Sequence, residues 1–242
     1  MELDAINIEG LYKFYNKFVA LEDINLNIKK GEVFGIIGSN GNGKSTLLNC
    51  ITGVLNYEKG HIYVDGLDLK KKPLVVKQKM AYCPDESNAY EIMTGEEYLA
   101  FIASVYKVDP EEFKVKFDKY VDLFNIRTHI NKLIKYCSHG TKQKIALISA
   151  MIHNPEVWIL DEPLLGLDPY STKELLKYFK EYCKNGGTII ITIHDLDVAL
   201  KVCDKVAIIK EGRVAKVFND PKDKAVKNAA LRIMANNETI EE

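Results

Sequence analysis

Gly38-Ser39-Asn40-Gly41-Asn42-Gly43-Lys44-Ser45-Thr46 is the stretch that decides the fold, because it fills every fixed position of the phosphate-loop pattern G-x-x-x-x-G-K-[ST]. Its glycines let the backbone amides of Ser39, Asn40, Gly41, Asn42 and Gly43 turn inward around phosphate oxygens, and a helix starting near Lys44 points its positive end at the same anion. Lys44 then reaches the outer phosphates, and Ser45 offers its hydroxyl to magnesium. The flanks agree. Glu32-Val-Phe-Gly-Ile-Ile37 is a short apolar run of strand type, and Thr46-Leu-Leu-Asn-Cys-Ile51 continues as a helix, which gives the required order of strand, loop and helix.

A chain of 242 residues with 47% hydrophobic content can bury the core of one large α/β domain. Its net charge of −1 gives no excess of cations for a polyanion, so nucleic acid is not indicated as a partner, and Lys70-Lys71-Lys72 reads as a solvated loop. Cys50, Cys83, Cys137, Cys183 and Cys203 have no C-x-x-C spacing and read as buried reduced thiols. The amino terminus lacks the basic start and apolar stretch of a signal peptide, and no apolar run reaches the length of a membrane helix. A soluble, cytosolic chain is expected.

Outward from the loop, Ile24-Asn-Leu-Asn-Ile28 alternates as a half-buried strand, and Gly60-His-Ile-Tyr-Val-Asp-Gly66 is a strand bounded by glycines. From Thr94 to about His153 the spacing turns helical, as in Tyr98, Leu99, Phe101, Ile102 and Val105. Strand signals return at Val157-Trp-Ile-Leu160, Thr188-Ile-Ile-Ile-Thr-Ile193 and Lys205-Val-Ala-Ile-Ile-Lys210. The last of these turns at Glu211-Gly212 into Arg213-Val-Ala-Lys-Val-Phe218. The fold class is therefore α/β, a P-loop NTPase with a mainly parallel core sheet, an amino-terminal antiparallel β subdomain and an inserted helical subdomain. As one domain over 1–242, residues 1–85 and 154–219 form the core with its β subdomain, 86–153 the helical insert and 220–242 a helical tail.

Val157-Trp-Ile-Leu160 ends in Asp161 and Glu162, and sheets of this type bind ligands at the carboxyl ends of their strands. Asp161 is placed for magnesium, and Glu162 for a water in line with the outer phosphate. Taken alone, the pair reads equally well as the acidic start of a helix with Pro163 in its first turn. His194 ends another buried strand, where spacing alone makes it a cap for the helix beginning at Asp195.

The order of phosphate loop, helical insert, Ser138-His139-Gly140, Val157-Trp-Ile-Leu-Asp161-Glu162-Pro163, Gly166-Leu167-Asp168-Pro169 and His194 resembles the nucleotide-binding cassette of an ABC transporter, over residues 3 to 218. The resemblance implies two cassettes, this chain with a second copy or a related one, paired head to tail around two ATP molecules. Each nucleotide would be held by the phosphate loop of one subunit and the Ser-x-Gly segment of the other. Closure on ATP would move a polytopic membrane permease, which places the chain in the cytoplasm at the inner face of the membrane. It further implies that Tyr15 stacks on adenine and that Lys44, Ser45 and Thr46 contact phosphate and magnesium. Asp161 becomes the second magnesium partner, Glu162 the catalytic glutamate, His194 the switch histidine at the outer phosphate, and Asp168 the aspartate that communicates across the dimer.

Two departures stand out. The segment usually written Leu-Ser-Gly-Gly-Gln reads Cys137-Ser138-His139-Gly140-Thr141, so His139 adds bulk and a titratable ring, and weaker closure than with glycine is expected. Ser138, Gly140 and the helix from about Thr141 to His153 can still face a phosphate. In Met80-Ala-Tyr-Cys-Pro84-Asp85-Glu86, Asp85 stands where the family has glutamine; it serves magnesium directly or through water, or Glu86 takes the place. Both variants look more like exporters than nutrient importers. The permease groove is expected near residues 85 to 105. A soluble cassette acting on ribosomes or DNA is the alternative, and a small-molecule kinase would leave Ser-x-Gly unexplained.

Overall fold

The computed structural model describes residues 4–85 and 91–235, with the backbone alone at Lys224. The chain opens with β1 (Ile6–Tyr15) and β2 (Phe18–Ile28), one long antiparallel hairpin in which Tyr15 faces Phe18 across the Asn16-Lys17 turn. The sequence reading expected only short strands here; register shifts along the pair let 10- and 11-residue strands stay paired while they bend. β4 (Lys59–Val64) and β5 (Leu67–Asp68) complete a four-stranded sheet in the order β2-β1-β4-β5.

The second sheet contains β3 (Val33–Ile37), β6 (Met80–Cys83), β7 (Val157–Leu160), β8 (Thr188–Thr192), β9 (Lys205–Lys210) and β10 (Arg213–Phe218), in the order β10-β9-β3-β8-β7-β6. Every neighbouring pair is parallel except β9 with β10, the hairpin over Glu211-Gly212. β3, β7 and β8 are buried along their whole length, which is why they read as unbroken apolar runs instead of alternating ones. Successive residues feed opposite faces: Ile37, Trp158 and Ile191 join one core, and Ile36, Ile159 and Ile190 the other. The fold class expected from the sequence is the one observed.

α1 (Lys44–Ile51) follows β3, and α2 (Pro73–Gln78), which periodicity did not reveal, precedes β6. Between β6 and β7 lie α3 (Gly95–Val105), α4 (Pro110–Leu123) and α5 (His139–Met151). α3 starts with a reciprocal capping box between Thr94 and Glu97, and α4 with Asp109 and Pro110. α5 begins two residues earlier than expected, because the Ser138 hydroxyl accepts from the Thr141 N–H and so sets the N-cap. α6 (Pro169–Lys184), α7 (Leu196–Val202) and α8 (Lys224–Ala235) cover the Trp158 face, and the expected tail helix is α8.

Trp158 is the largest fully buried side chain; it stacks on Tyr182, meets Phe179 edge-on and donates its Nε1–H to the Ala150 carbonyl at 2.8 Å. It therefore joins β7 to both α5 and α6. Trp158→Ala should cost about 3–5 kcal/mol of unfolding free energy, read as a lower denaturant midpoint in urea titrations.

Candidate functional site

Strand order places the carboxyl ends of β3, β7 and β8 side by side, so the loops leaving them share one rim. The loop after β3 is forced by glycine. Gly43 has φ of 97°, and a Cβ on it would stand 2.9 Å from the Ala20 carbonyl oxygen, while one on Gly38 would stand 2.3 Å from that of Ile209. Gly43 is also the N-cap of α1 and brings no capping side chain, so the first-turn amides of α1 remain directed into the cleft.

Lys44 lies just inside, 6% exposed, with Nζ donating to the Gly38 carbonyl at 2.8 Å and the Ser39 carbonyl at 3.3 Å. Burial lowers its pKa, and the charges of Glu162 and Asp161 oppose that shift. Two neutral carbonyls cannot satisfy a buried ammonium as an anion would, so the lysine is suited to phosphate.

Asp161 and Glu162 leave β7 buried, and Thr192 at the end of β8 holds both. The Thr192 hydroxyl donates to Asp161 Oδ1 at 2.6 Å and accepts from the Glu162 N–H at 2.9 Å. Glu162 takes a left-handed φ of 48°, strain of about 1–3 kcal/mol for a residue with a Cβ, and the chain beyond it is a turn and not a helix. The helix-start reading of the acidic pair is thereby excluded. His194 donates its N–H to Glu162 Oε2 at 3.2 Å and brings Nε2 to 3.3 Å from Oε1. Oε1 itself is buried without a well-aligned hydrogen bond. Burial raises the pKa of Glu162, with His194 and Lys44 pulling it down and Asp161 adding to the rise. The cap of α7 is Asp195, so His194 is not spent as the expected cap.

Gly43, Lys44, Asp161, Glu162 and His194 line a cleft of about 370 Å³ with Asn40, Gly41, Ser45, Thr46, Asp85, Tyr15, Phe18 and Ala20. Tyr15 and Phe18 are 46% and 65% exposed at the hairpin tip, with Lys13 Nζ over the Tyr15 ring at 5.4 Å from its centroid. Sequence reasoning missed Phe18, although its position across the two-residue turn from Tyr15 was a usable signal. It also missed Thr192, whose role needs the pairing of β7 with β8.

Five expected residues lie outside this lining. Ser39 turns its carbonyl to Lys44 Nζ at 3.3 Å. Asn42 faces away, its side chain donating to the Ile209 carbonyl at 3.2 Å and accepting from the Glu211 N–H at 3.4 Å, so it ties the loop to the β9–β10 hairpin. Ser138 and Gly140 are absent from the cleft lining; a Cβ on Gly140 would come within 2.6 Å of the Gly166 carbonyl oxygen. Asp168 caps α6 through the Ser171 N–H and binds Lys144 at 2.7 Å, and that ammonium holds its carboxyl well below the usual range. The His139 ring packs on Gly166, and Glu86 lies outside the described residues. Of the cysteines, Cys50, Cys83, Cys183 and Cys203 are buried thiols pushed up to about 12 by desolvation, but Cys137 is only half-buried.

A glycine cradle, a buried lysine, a carboxylate pair at a strand end and a histidine define a P-loop nucleotide hydrolase. The family model described as ABC transporter matches residues 21–165, and the chain belongs to that family as an ATP-binding, ATP-hydrolysing subunit. It is 32% identical over 212 residues to the linearmycin resistance ATP-binding protein LnrL of Bacillus subtilis, covering 88% of this chain and 68% of the relative. It is 33% identical over 215 residues to the methionine import ATP-binding protein MetN of Carboxydothermus hydrogenoformans, covering 87% and 64%. The solved structure of cbiO1 from Clostridium perfringens, part of the ABC transporter complex cbiONQ, superposes with a TM-score of 0.78 at 30% identity, covering 97% of this chain and 96% of that one.

If Glu162 is the base, it acts when ionised, and its raised pKa moves the acid limb of kcat/KM above the pH of an ordinary glutamate, near 4.3. Rate rises with pH through that limb. His194→Ala removes a charge that lowers the Glu162 pKa, so the limb should move to still higher pH in a pH–rate profile of the residual activity.

Proposed function

We propose that the protein powers transport, in the export direction, through a separate polytopic membrane permease, by closing head to tail on a second cassette around ATP. The observation that carries the paired site is the separation of its parts: Ser138, exposed, and Gly140, half-buried, form the start of α5, outside the cleft that holds Lys44 and Glu162. A phosphate loop from one chain and an α5 start from another can enclose one nucleotide, with the uncapped amides of α1 on one side of its phosphates and, on the other, the positive end of α5 with its Ser138 cap. Domain roles follow: 1–85 and 154–219 bind nucleotide, 86–153 carries the Ser-x-Gly segment, and 220–242 is a tail.

Lys44 and the loop amides bind the phosphates, and Tyr15 receives the base. Ser45, Asp161 and Asp85, which follows the neighbouring strand β6, offer only oxygen donors, the set magnesium favours alongside phosphate and water. Among the described residues there is no cluster of three acidic, histidine or cysteine ligands, which fits an ion that keeps waters and substrate oxygens instead of an all-protein cage. Magnesium there would supply neutralisation of phosphate charge. Glu162 takes the proton of the attacking water; its strained backbone and the Thr192 bond fix where that carboxylate stands, and His194 holds it from the other side. Asp168, fixed by Lys144 to the helix that bears Ser138, couples one site to the other.

The membrane setting rests on the family and on the naming of cbiO1 as part of a transporter complex. Among the described residues no helix is long and apolar enough to cross a membrane, so the chain would sit peripherally at the cytoplasmic face by way of its permease. Export is supported by His139 in the Ser-x-Gly segment and Asp85 in the loop after β6; the relatives carry both resistance and import names.

Glu162→Gln should keep ATP binding and slow turnover by about 10²–10⁴-fold. Loaded with ATP, the same variant should recover a polytopic membrane protein from detergent-solubilised membranes of the source cell. Unchanged turnover would remove Glu162 from the role of base, and recovery of ribosomal or DNA-repair proteins without a membrane protein would overturn the transporter reading.

A further inference from the structure

Away from the cleft, one face of the β subdomain combines exposed apolar side chains with a turn of three exposed lysines. Leu74 and Val75 on α2 are 78% and 47% exposed, and Val54, after α1, is 67% exposed. Val54 adjoins α2, because its neighbour Gly53 accepts a hydrogen bond from Lys77 Nζ at 3.0 Å. The turn into α2 is Lys70-Lys71-Lys72, followed by Pro73, which fixes the first turn of the helix.

The charge on this face is only partly offset locally, by Asp68 near Lys71 and by the Tyr57 ring under Lys70. Among the described residues the side chains of Lys71 and Lys72 make no hydrogen bond or ion pair, and Lys70 lies 3.8 Å from the centroid of the Tyr57 ring. The nearby Asp65 is already shared by Lys30 and Lys79. Asp68 is turned to the backbone amides of Lys70 and Lys71 and to His61, so it supports the turn without screening its ammonium groups fully. A leucine as exposed as Leu74 gains nothing from water, and its cationic surround excludes a second copy of the same face.

We propose that the face formed by Val54, Lys70-Lys71-Lys72, Leu74 and Val75 binds an anionic lipid surface directly, with the lysines at the headgroups and Leu74 entering the acyl boundary. Short amphipathic elements of this composition lie in the interface plane, and apolar burial and charge attraction are both needed for measurable binding. Charge complementarity selects this occupant: three successive cations on a turn need no matching register on a fluid anionic surface. The inference goes beyond the permease-coupled reading and does not depend on it, because the contact is with lipid.

The test is flotation of the full chain with vesicles of phosphatidylcholine containing about one third phosphatidylglycerol, with no permease present, against pure phosphatidylcholine. The protein should float with the anionic vesicles only and be released as salt rises. Lys71→Ala with Lys72→Ala should weaken partitioning roughly thirty-fold, at about fivefold per lysine. Leu74→Glu should abolish it, and both variants should keep wild-type ATP hydrolysis and circular dichroism. Equal flotation with neutral vesicles, or flotation unchanged in the variants, would overturn the proposal. So would an absence of flotation with the anionic vesicles, and loss of permease binding in the variants would then mark the face as a protein contact.

Discussion

Three ionisable side chains, Lys44, Asp161 and Glu162, are each less than a tenth exposed and share one cleft, and placing them there is the constraint that the rest of the molecule answers to. Buried charges are tolerated only when they are paired or hydrogen-bonded. Thr192 supplies the central bonds, receiving the Glu162 amide and giving its own proton to Asp161. That hydroxyl stands in the right place because β7 and β8 are adjacent and parallel, with Leu160 opposite Ile191. Sheet register is thus translated directly into carboxylate position.

The same constraint explains the bracing around the phosphate loop. A loop built from glycines has little stiffness of its own. Stiffness arrives from outside: Asn42 grips the β9–β10 hairpin, Gly38 sits hard against Ile209, and the Gly212 N–H reaches the Asn42 carbonyl at 3.2 Å. The hairpin is itself tied to β2 through the Glu22 N–H and the Gly212 carbonyl at 2.8 Å. Cradle, first sheet and second sheet therefore share one network, which lets the tip of the β1–β2 hairpin, with Tyr15 and Phe18, keep a fixed relation to Lys44.

The sequence made legible what is local. The phosphate loop, the acidic pair after Val157-Trp-Ile-Leu160 and the placing of His194 at a strand end follow from motifs a few residues long, and the mainly parallel sheet follows from fully apolar runs bounded by loops. What depends on partners distant in the chain was not legible. Asn42 looks like one more cradle residue until the hairpin 167 residues away is seen to claim its side chain. Thr192 is an ordinary strand residue until β7 lies beside it. α2 is too short to show a period, and only the fold exposes Leu74 beside the lysine turn.

The central claim is that each nucleotide site is built from two chains. Its most direct test mixes two inactive variants of this protein, Lys44→Ala and Ser138→Arg, and measures phosphate release. A head-to-tail pair predicts recovery of part of the wild-type rate, because each mixed dimer contains one site with an intact Lys44 from one chain and an intact Ser138 from the other. A mixture as inactive as its components, under conditions where the wild-type chain hydrolyses ATP and mixed dimers are present, would contradict it.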